Sequence, residues 1–179
     1  ISNLEYTSCS HFVQLYLNGE YCGVYQLSEQ LKIAKSRVNV GDDGFLLEID
    51  AKAESEDITF NVPHIEMPIN IKEPDVEVGD ASYNYITEYL RQVDEVLFSE
   101  NFTDSANGYT RYLDVETFVD WYLINEITKN ADAIFYTSCY MHLARNGKLK
   151  MGPLWDFDLA FGGYHFDEPA ADICNNSEG

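Results

Sequence analysis

Two aspartates flank a phenylalanine in "KMGPLWDFDLAFGG", residues 150–163; Asp156 and Asp158 follow an apolar run and precede a Gly-Gly pair. A half-buried carboxylate is costly unless it is paired, protonated or bound to a cation. If the segment continues as a strand, positions i and i+2 face the same way. Both charges would then share one face, with Trp155 and Phe157 turned oppositely as anchors in the core. Such a pair asks for a divalent cation in front of it. A solvent-facing pair at a sheet edge asks for none, and an isolated Asp-x-Asp also serves as a turn or cap.

A third carboxylate, Asp132 in "KNAD", stands 24 positions before Asp156. In protein kinases a catalytic-loop Asp follows a long helix, and a short β-hairpin then returns a metal-binding Asp beside it. Chain order and spacing here fit phosphoryl transfer, although Asp132 could equally close a helix C-terminal turn. Glu126 and Asn130 could line the same cleft or cap the helix. Lys72 closes the strand "INIK" and suits a phosphate contact; the alternative is a solvated strand end. Glu29 follows the first hairpin as a cleft residue or a surface one. Lys72 and Glu29 are therefore the candidate nucleotide-binding residues. The four histidines show no ligand spacing. "NFT" at 101–103 and "NNS" at 175–177 match the glycosylation sequon.

The chain carries 31 acidic and 11 basic residues, a formal charge of −20. That balance repels nucleic-acid backbones, so no nucleic-acid partner is expected, and an anionic nucleotide would need divalent cations to approach. As the bland alternative, the charge is a solubilising surface. The hydrophobic fraction of 45% suits a packed core. No apolar run spans a bilayer, and the opening "ISNLEYTSC" reads as the middle of something longer. Four cysteines without a CxxC pair give no zinc signature. They are expected as free, mostly buried thiols.

The elements that must position these groups follow from pattern. "HFVQLYLNGEYCGVYQLSEQ" places two β-rich runs around Asn18-Gly19, a hairpin signal, in which 17 should pair with 20 and 15 with 22. "GFLLEID" (44–50), "EDITF" (56–60) and "MPINIKEPD" (67–75) read as further strands. From 81 to 98, apolar residues at Ile86, Leu90, Val93 and Leu97 predict an amphipathic helix capped by Asp80. Asp114 should cap a second helix, with Phe118, Trp121, Ile124 or Asn125, and Ile127 on its buried stripe. Asn146-Gly147 marks another hairpin, with arms near 138–144 and 148–154. The fold class is α+β, a β-rich part followed by a helical part.

Three blocks, "LYLNGEYCGVYQLSEQ", "NEITKNADA" and "GKLKMGPLWDFDLAFG", together resemble the CotH kinase family, named for a spore-coat protein. Its members are atypical, secreted or surface-associated kinase-like proteins. The resemblance spans roughly residues 12–163, in the family's order. It implies an atypical protein-kinase-like fold using ATP and Mg²⁺ or Mn²⁺ to phosphorylate protein Ser or Thr. Asp132 matches the family's catalytic-loop Asp, and Asp156 and Asp158 match the Asp-x-Asp standing in for a kinase's Asp-Phe-Gly. Where a kinase loop carries a metal-binding Asn, this chain has Thr137 followed by Ser138, and a hydroxyl is the poorer ligand.

The domain expected is a single one over 1–179: a β-rich lobe (1–78), a helical lobe with catalytic loop and metal-binding segment (79–165) and a tail (166–179). The expected partner is a protein substrate or an assembly component, at an extracellular, cell-surface or spore-surface location. Two alternatives stand beside the kinase reading. One is a catalytically silent structural module of an extracellular or spore-surface assembly. The other is an adhesion module in which Ca²⁺ is structural.

Overall fold

The computed structural model describes residues 2–54, 57–131 and 133–162. The Asn18-Gly19 signal yields the first hairpin, β1 (Ser10–Leu17) and β2 (Glu20–Ser28). Asn18 (φ 51°) and Gly19 (φ 89°) both take left-handed backbone, as a two-residue turn matched to strand twist requires. Leu17 pairs with Glu20 as expected, but a bulge after Leu15 sets that residue opposite Gly23 rather than Cys22. Cys9 and Cys22 are exposed, which corrects the expectation of mostly buried thiols; Cys139 is buried. The hairpin stands apart as its own two-stranded sheet, with Phe12, Leu17 and Val24 exposed.

The remaining strands form one antiparallel sheet in the order β4 (Thr59–Val62), β5 (Ile65–Glu73), β3 (Phe45–Ile49), β6 (Cys139–Leu143), β7 (Lys150–Met151). β3 is central, and every one of its residues is buried. Alternation sorts the sheet into two faces. Phe45, Leu47, Ile49, Ile69, Ile71, Cys139 and Met141 enter the main core, together with Ile86, Leu90 and Trp121 from the helices. Leu46 and Tyr140 turn to the other face, under Val38, Val40, Tyr6 and Trp155.

Helix α1 (Ala81–Leu97) buries Ile86, Leu90 and Val93 as its periodicity predicts, whereas Leu97, in the last turn, is exposed. Asp80 occupies the N-cap without a capping side-chain bond. Its carboxylate instead accepts the Glu77 N–H at 3.0 Å, and its carbonyl accepts the Asn84 N–H at 2.8 Å. Helix α2 (Val115–Thr128) buries Thr117, Trp121 and Asn125, while Ile127 is 77% exposed. Phe118, Trp121 and Asn125 thus face the core as expected, and Ile127 is the correction. The helix is apolar nearly all round, with Val119, Tyr122 and Leu123 also exposed, so periodicity gave no unique face. Packing chooses the small polar Thr117, whose hydroxyl accepts the Met151 N–H at 3.0 Å. The architecture is α+β, β-rich first and helical later. Among the described residues no helix is long and apolar enough to cross a membrane.

Candidate functional site

The strand expected to carry the aspartate pair stops early. β7 ends at Met151; Gly152 is left-handed (φ 107°), and Pro153 has no N–H to give the ladder. Asp156 follows with left-handed backbone of its own (φ 60°). The same-face argument for Asp156 and Asp158 therefore does not apply as made. What unites them is a cleft of about 630 Å³ that both line, with Ile124 and Thr128 from α2 and Ser10 and Ser28 from the first hairpin. Both aspartates are exposed. Trp155 packs under the sheet's second face and also borders the cleft, and Phe157, expected in the core, lines the cleft as well.

Asp156 is held at both its backbone and its side chain. The buried Asn130 donates through Nδ2 to the Asp156 carbonyl at 3.1 Å, and Ser138 Oγ donates to Asp156 Oδ2 at 3.1 Å. Ser138 also holds left-handed backbone (φ 56°). Just before it, the Thr137 hydroxyl is buried and donates to Asp50 Oδ1 at 2.9 Å. Thr137 thus ties the loop to the end of β3, assisted by the Ala51 N–H bond to the Tyr136 carbonyl at 2.8 Å. Asp132 lies outside the described residues, between Ala131 and Ala133.

Lys72 sits on β5 with Nζ 3.4 Å from Glu48 Oε2. Glu48 is a buried carboxylate on the central strand. Burial pushes its pKa up, against the opposing pull of Lys72. Directly across from it on β6 stands Tyr140. Burial and then the Glu48 carboxylate push the Tyr140 phenol far above its ordinary range, with Asp50 and Asp156 adding to the effect. Lys72, Glu48 and Tyr140 therefore form one electrostatic group on the sheet's second face, and the Asp50 and Asp156 carboxylates act on it at Tyr140. Glu29 is engaged elsewhere. Its carboxylate accepts from the Tyr6 hydroxyl and the Cys9 N–H, both at 3.1 Å, latching the first hairpin to the segment before it. The Cys9 N–H is the main cause of the lowered Glu29 pKa, followed by Tyr6.

Sequence reasoning passed over Glu48, Asp50 and Tyr140, and met Ser138 only as the hydroxyl residue after Thr137. "FLLEID" held a usable signal, since Glu48 and Asp50 form an i, i+2 acidic pair on an otherwise apolar strand, the same anomaly as Asp-x-Asp. Tyr140 and Ser138 gave no comparable sign, because their meaning arises from partners 92 and 18 positions away. Among the described residues no three His, Cys, Asp or Glu side chains form a ready-made metal cage. Two oxygen-bearing aspartates on one cleft nonetheless suit Mg²⁺ or Mn²⁺, hard ions that take one or two carboxylates and complete their shell with phosphate and water.

Comparison with known proteins agrees with the blocks in the sequence. The family model described as CotH kinase protein matches residues 6–178. No curated protein and no solved structure matches the chain.

Proposed function

The chain belongs to the CotH kinase family, and from that premise we propose that it transfers a phosphoryl group from ATP to a protein Ser or Thr hydroxyl. The carrying observation is that Asp156 and Asp158 line one cleft, while the Asp156 carboxylate also acts on Tyr140, the residue paired with Glu48 of the Lys72–Glu48 pair. Asp156 and Asp158 would hold Mg²⁺ or Mn²⁺, which neutralises the phosphate charge that grows during transfer. Lys72, oriented by Glu48, binds a phosphate oxygen as a point charge. Asp132 accepts the proton of the attacking hydroxyl, a role worth on the order of 10²–10⁴-fold. Glu29, counted among the nucleotide-binding candidates from sequence, acts here by holding the hairpin that walls the cleft. The test is Mn²⁺-dependent autophosphorylation, which Asp156→Ala should abolish; an unimpaired variant removes the assignment.

One observation favours a second reading, a silent scaffold in an extracellular or spore-surface assembly. Thr137 occupies the place of a kinase's metal-binding Asn, and its hydroxyl is spent on Asp50. The site thus has one fewer ligand for a second metal ion. Absence of ATP binding at millimolar nucleotide with Mn²⁺ would select this reading. A large thermal shift with Ca²⁺ and none with Mn²⁺-ATP would instead select the adhesion module.

A further inference from the structure

Asn130 stands just beyond the end of α2 and is 6% exposed. Its Nδ2 makes two bonds, to Asn125 Oδ1 and to the Asp156 carbonyl, each 3.1 Å. Its Oδ1 is buried and has no hydrogen-bond partner among the described residues. For stability alone this is a poor residue, because a buried amide oxygen without a donor carries its full desolvation cost. The amide does, however, reach the one residue of the Asp-x-Asp whose backbone is left-handed. Aspartate adopts that conformation only at some cost, so the surrounding contacts must hold it there. Asn125 orients the Asn130 amide from within the helix, and the Phe161 N–H bond to the Thr128 carbonyl at 2.6 Å closes the same turn onto the helix end.

We infer that Asn130 is a positioning residue: through its amide N–H it holds Asp156 in left-handed backbone, and so aims the Asp156 carboxylate into the cleft. The helix end thereby sets the geometry of a side chain 26 positions away. The functional weight of this inference rests on the reading of Asp156 as a cation ligand. Its structural content does not.

The test uses the full chain, isotope-labelled, with two readouts: the amide–Hα scalar coupling that reports φ at Asp156, and Mn²⁺ affinity in the presence of ATP. Asn130→Ala should move the Asp156 coupling away from its left-handed value and weaken Mn²⁺ binding about tenfold, the usual cost of losing a group that orients a ligand. Thr117→Val is the control, since it disturbs α2 at a buried bond without touching Asp156; it should lower the melting temperature and leave both readouts in place. If Asn130→Ala does not fold, Asn130→Leu removes the same two donated bonds at nearly constant shape without burying a charge, and carries the comparison. An unchanged coupling at Asp156 on loss of the amide overturns the inference, as does an equal change in the Thr117 control. A wild-type chain that binds no Mn²⁺ overturns the metal reading instead, and the coupling still decides the role of Asn130.

Discussion

Along β3, Phe45, Leu47 and Ile49 turn to one face of the sheet while Leu46 and Glu48 turn to the other. The first face is apolar and closed by α1 and α2. The second carries Glu48, Asn70 and His142 as buried polar groups, with Lys72 and Tyr140 beside them, and among the described residues is covered by short segments around Tyr6, Val38 and Trp155. Adjacent residues on one strand thus serve opposite ends. Burial on the helix side supplies stability, whereas burial on the far side raises the energy of charged groups and leaves them tuned by their neighbours. Perturbed carboxylates and phenols gathered on one face are the usual mark of a working surface.

Three changes probe that contrast. Leu47→Ala, at a fully buried helix-side position, should cost about 3 kcal/mol, the transfer loss plus the cavity left behind, measured by urea denaturation. One residue along, the effect should differ in kind. Lys72→Met strands the buried Glu48 and should cost about 1–2 kcal/mol; that is less than a fully buried pair would lose, because Lys72 is 35% exposed. Glu48→Gln should be close to neutral for stability, since it removes the buried charge. A large loss on Glu48→Gln would show that the pair is there for the fold.

The smallest effect concerns pH. His142 is buried on the second face with Nδ1 3.1 Å from the Gly152 carbonyl, and burial lowers its pKa from the ordinary 6.5. The unfolded chain therefore takes up this proton first as pH falls. Stability should decline on acidification below about 6.5 and level off once the folded imidazole is also protonated. His142→Gln should flatten that part of the pH–stability curve; a slope unchanged by the substitution would assign it to other groups.

Much of this arrangement was legible in the residues themselves. Asn18-Gly19 marks a hairpin because few other pairs accept left-handed backbone twice in succession, and the 3–4 spacing of α1 fixes its buried face. Asp-x-Asp was conspicuous because acids rarely follow an apolar run. What escaped depends on distant partners. No local rule chooses Thr117 over Phe118 for full burial on a helix apolar nearly all round, or joins Thr137 to Asp50 across 87 positions; the early end of β7 at Met151, by contrast, was signalled locally by Gly152-Pro153. Lys72 was visible as a lone cation, but nothing local pairs it with Glu48, an acid in plain view on another strand.

The central claim is that the cleft floored by Asp156 and Asp158 holds a nucleotide through a divalent ion. Calorimetric titration of ATP into the chain, with Mn²⁺ and with the ion chelated, measures this directly. The account predicts saturable binding only with Mn²⁺, weakened at least tenfold by Asp156→Ala or Asp158→Ala. Binding that ignores both the ion and the two substitutions would contradict it.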